Sequence, residues 1–132
     1  MEKEYRKYVF DASALICLSK KEEGFDKIKK YLPNALISSV NIAEFYKHCL
    51  SRQDLTIEDA KRLVTISGVE VINFNHEQAI ISSEIYKDCK QYGLSLADRS
   101  CLALGISTGY PVVTCDRAWS NLNLDIKVIQ VR

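Results

Sequence analysis

Long apolar runs, paired cysteines, histidine clusters and a strong net charge are all missing from this chain of 132 residues. No apolar stretch approaches the roughly 18 residues that cross a bilayer. The longest, Ala12 to Leu18, is interrupted by Ser13, and the charged N-terminal MEKEYRKY has no signal-peptide core behind it. The expectation is a cytosolic protein with no membrane contact. The cysteines, Cys17, Cys49, Cys89, Cys101 and Cys115, are odd in number and widely spaced, which excludes a disulfide framework and a Cys-x-x-Cys zinc site and leaves structural thiols. The histidines, His48 and His76, have no partner at metal-ligand spacing and read as ordinary helix or surface residues. Carboxylates are therefore the candidate ligands for any metal. A net charge of +1 gives no overall basic footprint for nucleic acid. If four acids were gathered on a metal, however, 18 cations would face 13 remaining acids, a balance of +5 over the rest of the surface.

What is present is the composition of a globular domain, 47% hydrophobic and 27% charged, expected to form one unit over residues 1–132. Tyr8-Val9-Phe10 predicts a strand and Ala12 to Lys20 a helix. After Gly24, helical spacing of Phe25, Ile28, Tyr31 and Leu32 ends at Pro33-Asn34. Ala35 to Ser38 reads as a second strand, followed by helices over Asn41–Leu50 and from Thr56 to Gly68. Val69 to Phe74 predicts a third strand, Asn75 to Tyr92 one long amphipathic helix stopped by Gly93, and Leu96 to Ser107 a further helix. Val112 to Cys115 and Ile126 to Val131 complete the set as fourth and fifth strands. Strands alternating with helices imply right-handed crossovers, hence a three-layer α/β/α fold around a mainly parallel sheet of four to five strands. In such a sheet, ligands bind beyond the carboxyl ends of the strands.

Acids stand at that edge. Asp11 follows the first strand and Asp116 the fourth, while Glu44 and Asp98 lie on the first turns of helices that begin at the same edge. Each has a local explanation. Asp11 can cap the Ala12 helix, Asp116 can shape a turn, Glu44 can sit solvated near a helix start, and Asp98 with Ser95 fits a capping box. Yet Asp98 also points along an apolar stripe with Leu94, Cys101, Leu102 and Gly105, where a carboxylate needs a partner. Carboxylates within about 5 Å of one another would repel by roughly 3 kcal/mol per pair at an effective dielectric of 20, which a cation or a shared proton offsets. An all-oxygen pocket suits Mg²⁺ or Mn²⁺ and phosphoryl chemistry. Ser13 and Thr114 can hydrogen-bond these carboxylates from behind, or cap the chain locally.

The stretches VFDASALICL, ISSVNIAEFYKH, LSLADRSCLALG and PVVTCDRAW, in this order and spacing, resemble the PIN-domain family, and within it the VapC-like toxins of toxin–antitoxin pairs. The resemblance runs from Tyr8 to the final strand. It implies a PIN fold and a Mg²⁺- or Mn²⁺-dependent endoribonuclease whose catalytic and metal-binding acids are Asp11, Glu44, Asp98 and Asp116. It also implies an RNA substrate, a homodimer and a small antitoxin whose C-terminal segment enters the active-site groove. Some members carry a further acid after the fourth strand, where this chain reads Arg117-Ala118-Trp119.

Two other aspartate chemistries do not fit. A haloacid-dehalogenase-type enzyme wants a second acid two residues after its nucleophile, but Asp11 is followed by Ala12-Ser13; a receiver domain wants an aspartate ending the third strand, which here closes Asn73-Phe74-Asn75. The rival of another class is a catalytically silent PIN-fold module that binds RNA or protein. For phosphate contact the candidates are Arg99 and Arg117, each adjoining an acid, with Lys47 one turn beyond Glu44; a structural ion pair or an exposed side chain is the alternative for each.

Overall fold

The first strand, β1 (Tyr8–Phe10), is buried along its whole length, as a strand covered on both faces must be. In the computed structural model, which describes residues 5–132, it lies at the centre of a five-stranded, wholly parallel sheet of order β3-β2-β1-β4-β5. Its neighbours are β2 (Ala35–Ser38) and β4 (Val112–Thr114), with β3 (Glu70–Ile72) and β5 (Val128–Gln130) at the edges. Phe10 stands beside Ile37 and Val113, and Val9 beside Leu36 and Val112. Alternation along the strands sends these two rows to opposite faces. Phe10, Ile37 and Val113 join one core with Leu15, Phe45 and Val64, while Val9, Leu36 and Val112 join the other with Leu102, Leu104 and Trp119.

The helices are α1 (Ala12–Lys20), α2 (Phe25–Lys29), α3 (Ser39–Arg52), α4 (Ile57–Ser67), α5 (His76–Glu84), α6 (Tyr86–Lys90) and α7 (Leu96–Thr108). Side-chain caps fix where most of the longer ones start: Asp11 for α1, Ser38 for α3, Thr56 for α4, Asn75 for α5 and Ser95 for α7. The helix expected from Asn41 begins two residues earlier because Ser38 accepts the Val40 N–H. The single helix expected over Asn75–Tyr92 is instead two. A turn at Ile85, at φ −85° and ψ 0°, separates α5 from α6. Ile85 and Cys89 are both buried, so the apolar spacing continues across the turn and conceals it in the sequence. The expected strand Val69–Phe74 shortens to β3, an exposed edge.

Gly105 sets how closely α7 approaches the sheet. A Cβ there would collide with the Ile126 side chain and lie 2.8 Å from Val112 Cγ2, so only glycine permits this packing. Among the described residues no helix is long and apolar enough to cross a membrane. The charged stretch Met1–Glu4 lies outside the described residues.

Candidate active site

From β1 the chain runs through α1 to β2 and on to β3, whereas β4 and β5 lie on its other side, so the sheet changes direction between β1 and β4. The carboxyl ends of two such strands diverge into a crevice. Asp11 leaves β1 at this point, only 4% exposed. Its Oδ1 accepts the Ser13 hydroxyl at 2.7 Å and the Ala14 N–H at 2.9 Å, and its Oδ2 accepts the Thr114 hydroxyl at 2.6 Å. Each hydroxyl accepts a backbone N–H in turn, Ser13 from Cys115 at 3.0 Å and Thr114 from Asp116 at 3.0 Å. Burial pushes the Asp11 carboxyl up to about 6; the bonds from Thr114, Ser13 and Ala14 oppose this, and the Asp98 charge adds to it. Strand β4 closes at Thr114, one residue before the expected end, and Asp116 starts a 3-10 turn over Arg117–Asn121 by accepting the Ala118 N–H at 2.9 Å.

The other acids come from helices. Asp98 Oδ2 accepts the Ser95 N–H at 2.9 Å while the Asp98 N–H donates to Ser95 Oγ at 3.1 Å, a complete capping box. Glu44 lies on α3 at the exposed rim, and its Oε1 accepts from Asn41 Nδ2 at 3.1 Å. Partial desolvation against the cleft wall raises its pKa, Asn41 opposes this, Asp98 adds to it and Lys47 counteracts it. Asn41 is only 1% exposed and bridges two helices, since the same Nδ2 donates to the Ala97 carbonyl at 3.0 Å, beside Asp98. Its amide therefore ties the position of Glu44 to the start of α7.

Asp11, Glu44, Asp98 and Asp116 line one cleft of about 410 Å³ together with Ser13. Arg99 and Arg117 are not among its lining residues. The Arg99 Nε donates to the Ser82 carbonyl at 3.0 Å and its guanidinium sits 5.1 Å from the centre of the Tyr86 ring, holding α7 against α5 and α6. Arg117 is exposed on the 3-10 turn. Asn41 and the lining residues His48, Ser51 and Arg52 drew no functional reading from the sequence, although Lys47, His48, Ser51 and Arg52 follow Glu44 at steps of three, four, seven and eight, the spacing of one helix face.

The chemistry of this donor set fits a hard divalent cation. The donors are carboxylate oxygens, and Glu44 Oε2, Asp98 Oδ1 and Asp116 Oδ2 accept no hydrogen bond among the described residues. Burial and mutual repulsion disfavour the charged forms of Asp11 and Glu44, a cost that a cation would relieve. Among the described residues no three acids are already drawn together as a closed ligand set.

The chain belongs to the PIN domain family, whose model matches residues 8–123. Its fold is shared with a toxin–antitoxin complex from Klebsiella pneumoniae at 18% identity and TM-score 0.73, over 96% of this chain and 98% of that one. A DNA-bound VapBC from Salmonella typhimurium matches at 20% identity and TM-score 0.73, over 97% and 100%. VapC20 from Mycobacterium tuberculosis, described as a sarcin-ricin loop cleaving toxin, matches at 14% identity and TM-score 0.68, over 92% and 99%. No curated protein sequence matches the chain.

Proposed function

We propose that the chain is a metal-dependent endoribonuclease, the toxin component of a toxin–antitoxin pair, which hydrolyses RNA phosphodiester bonds at the carboxylate cluster. The observation that carries this reading is the gathering of Asp11, Glu44, Asp98 and Asp116 around one cleft at the point where the parallel sheet changes direction. Membership of the PIN family and the toxins among its structural relatives support it. In this reading the four acids hold Mg²⁺ or Mn²⁺, which when bound supplies an activated water and neutralises charge on the attacked phosphate. Ser13 and Thr114 position Asp11 through their hydroxyls. Asn41 positions Glu44, and the capping box aims Asp98. A cognate antitoxin, a homodimeric state and a cytoplasmic setting belong to the same proposal.

The test is to incubate antitoxin-free protein with an RNA pool, with and without Mg²⁺ or Mn²⁺, alongside Asp98→Asn. Asparagine retains much of the cap and removes the charge. The expected result is cation-dependent cleavage that collapses in the variant with little change in melting temperature. A folded protein that cuts nothing under either cation, yet retains RNA or a protein partner, would make the chain a silent binding module. Loss of stability with cleavage retained would assign Asp98 to the cap alone.

A further inference from the structure

The cleft has a second half that the acids do not occupy. Lys47, His48, Ser51 and Arg52 line it from α3, continuing the face that begins at Glu44. At about 1.5 Å rise per residue, Glu44 to Arg52 spans about 12 Å, room for three to four nucleotides at the ~3.4 Å rise of a stacked strand. Lys47 and Arg52 are the cations among the described residues that line the cleft; both are exposed, and neither has a hydrogen bond or salt bridge from its side chain among the described residues. The Ser51 hydroxyl is engaged with the Lys47 carbonyl at 2.7 Å. His48 lies between Lys47 and Arg52 on the same face. Two cations thus stand beside an acidic site.

We propose that this face of α3 is the track for the RNA strand, with Lys47 and Arg52 binding phosphates on one side of the scissile bond. The inference rests on the nuclease reading, because that reading places the scissile phosphate at the acids and so requires the strand to leave the cleft past cations. A regularly charged strand matches two unpaired cations on one helix face better than a folded protein surface does. The contacts proposed for Lys47 and Arg52 are to the backbone, and cations bind phosphate whatever the base.

The experiment measures binding of labelled single-stranded RNA to the full chain in chelator, where cleavage is silent, as a function of salt. Single-strand binding loses about 0.7 in log–log slope for each phosphate contact. The double variant Lys47→Gln/Arg52→Gln is expected to flatten the slope by about 1.4, equally for uridine-rich and adenine-rich strands. Lys47→Arg/Arg52→Lys should keep the wild-type slope, as should Lys27→Gln/Lys29→Gln on α2. An unchanged slope in the Gln double variant overturns the track, and so does a loss confined to one base composition. Retained RNA affinity with lost binding of polyglutamate would make the face a site for acidic polypeptide instead, also overturning it. Cleavage by the wild type with an unchanged slope in the variant removes the track and leaves the nuclease; a flattened slope with no cleavage by any form does the reverse.

Discussion

The floor of the cleft and its helical wall both hold carboxylates at the sheet edge, but with very different support. On the floor, Asp11 is almost fully buried, accepts from two hydroxyls and one backbone N–H, and is linked through those hydroxyls to the backbone of Cys115 and Asp116. On the wall, Glu44 is exposed and held by one amide hydrogen bond from Asn41. Asp11 is thus fixed by the packing of β1 against β4, and its geometry is settled when the sheet forms. Glu44 is positioned by a side chain on a neighbouring turn and keeps freedom to adjust. Desolvation raises the pKa of both acids, but only Asp11 is almost fully buried, so removing the floor charge should change stability as well as chemistry while removing the rim charge changes chemistry with little effect on stability.

The largest expected effect is at the floor. Asp11→Asn should lower cation-dependent cleavage about a thousandfold, corresponding to several kcal/mol of transition-state charge stabilisation. Because asparagine caps as well as aspartate and carries no charge to desolvate, the metal-free variant should resist urea at neutral pH at least as well as wild type. A loss of stability in the metal-free variant would show that the buried charge is not a cost to the fold and would break the contrast.

Next comes the pH dependence of the chelated protein. Asp11 titrates near 3.8 when unfolded and at about 6 when folded, so between these values the folded state keeps a proton that the unfolded state releases. Stability from this group is therefore greatest below pH 4 and is lost as pH rises through about 6, by about 3 kcal/mol at ~1.36 kcal/mol per unit. Urea titrations of wild type and Asp11→Asn in chelator, at steps between pH 4 and 7, should converge at the acid end. Parallel curves would show that burial does not charge Asp11 this cost.

Thr114→Val removes one hydrogen bond to a carboxylate and one acceptor for the Asp116 N–H. Cleavage should fall 10- to 100-fold and unfolding free energy by about 1–3 kcal/mol, with Thr114→Ser close to wild type in both. The smallest change in stability belongs to the wall: Glu44→Gln, at an exposed position, should shift unfolding by no more than about 0.5 kcal/mol while reducing cleavage. A destabilisation of floor size would mean that the rim is as rigidly built as the floor.

The same division governs what could be read from the chain beforehand. Strand-end acids are written into local sequence, since a residue just past a buried strand emerges at the sheet edge; Asp11 directly follows β1 and Asp116 stands two residues past the end of β4. Glu44 and Asp98 needed only the further rule that helices start at that edge. What local pattern could not supply was which distant elements pack together. Arg99 adjoins Asp98 in sequence, but its side chain is claimed by Ser82 and Tyr86, whose position depends on how α5 and α6 lie on α7. The turn at Ile85 was hidden because the buried apolar residues Ile85 and Cys89 keep helical spacing across it. His48, Ser51 and Arg52 did carry a signal, their common spacing with Lys47 from Glu44, but their significance depended on the cleft lying alongside that face of α3.

Asp11, Asp98 and Asp116 each help to start a helix or turn, Asp11 and Asp116 as caps and Asp98 within a capping box. Asparagine and serine serve that capping duty nearly as well. A lineage could therefore exchange any of these acids and inherit an intact fold, so the scaffold is free to outlive its chemistry. If these acids carry the proposed hydrolysis, the residues by which descendants keep or abandon it are ones that folding itself does not police.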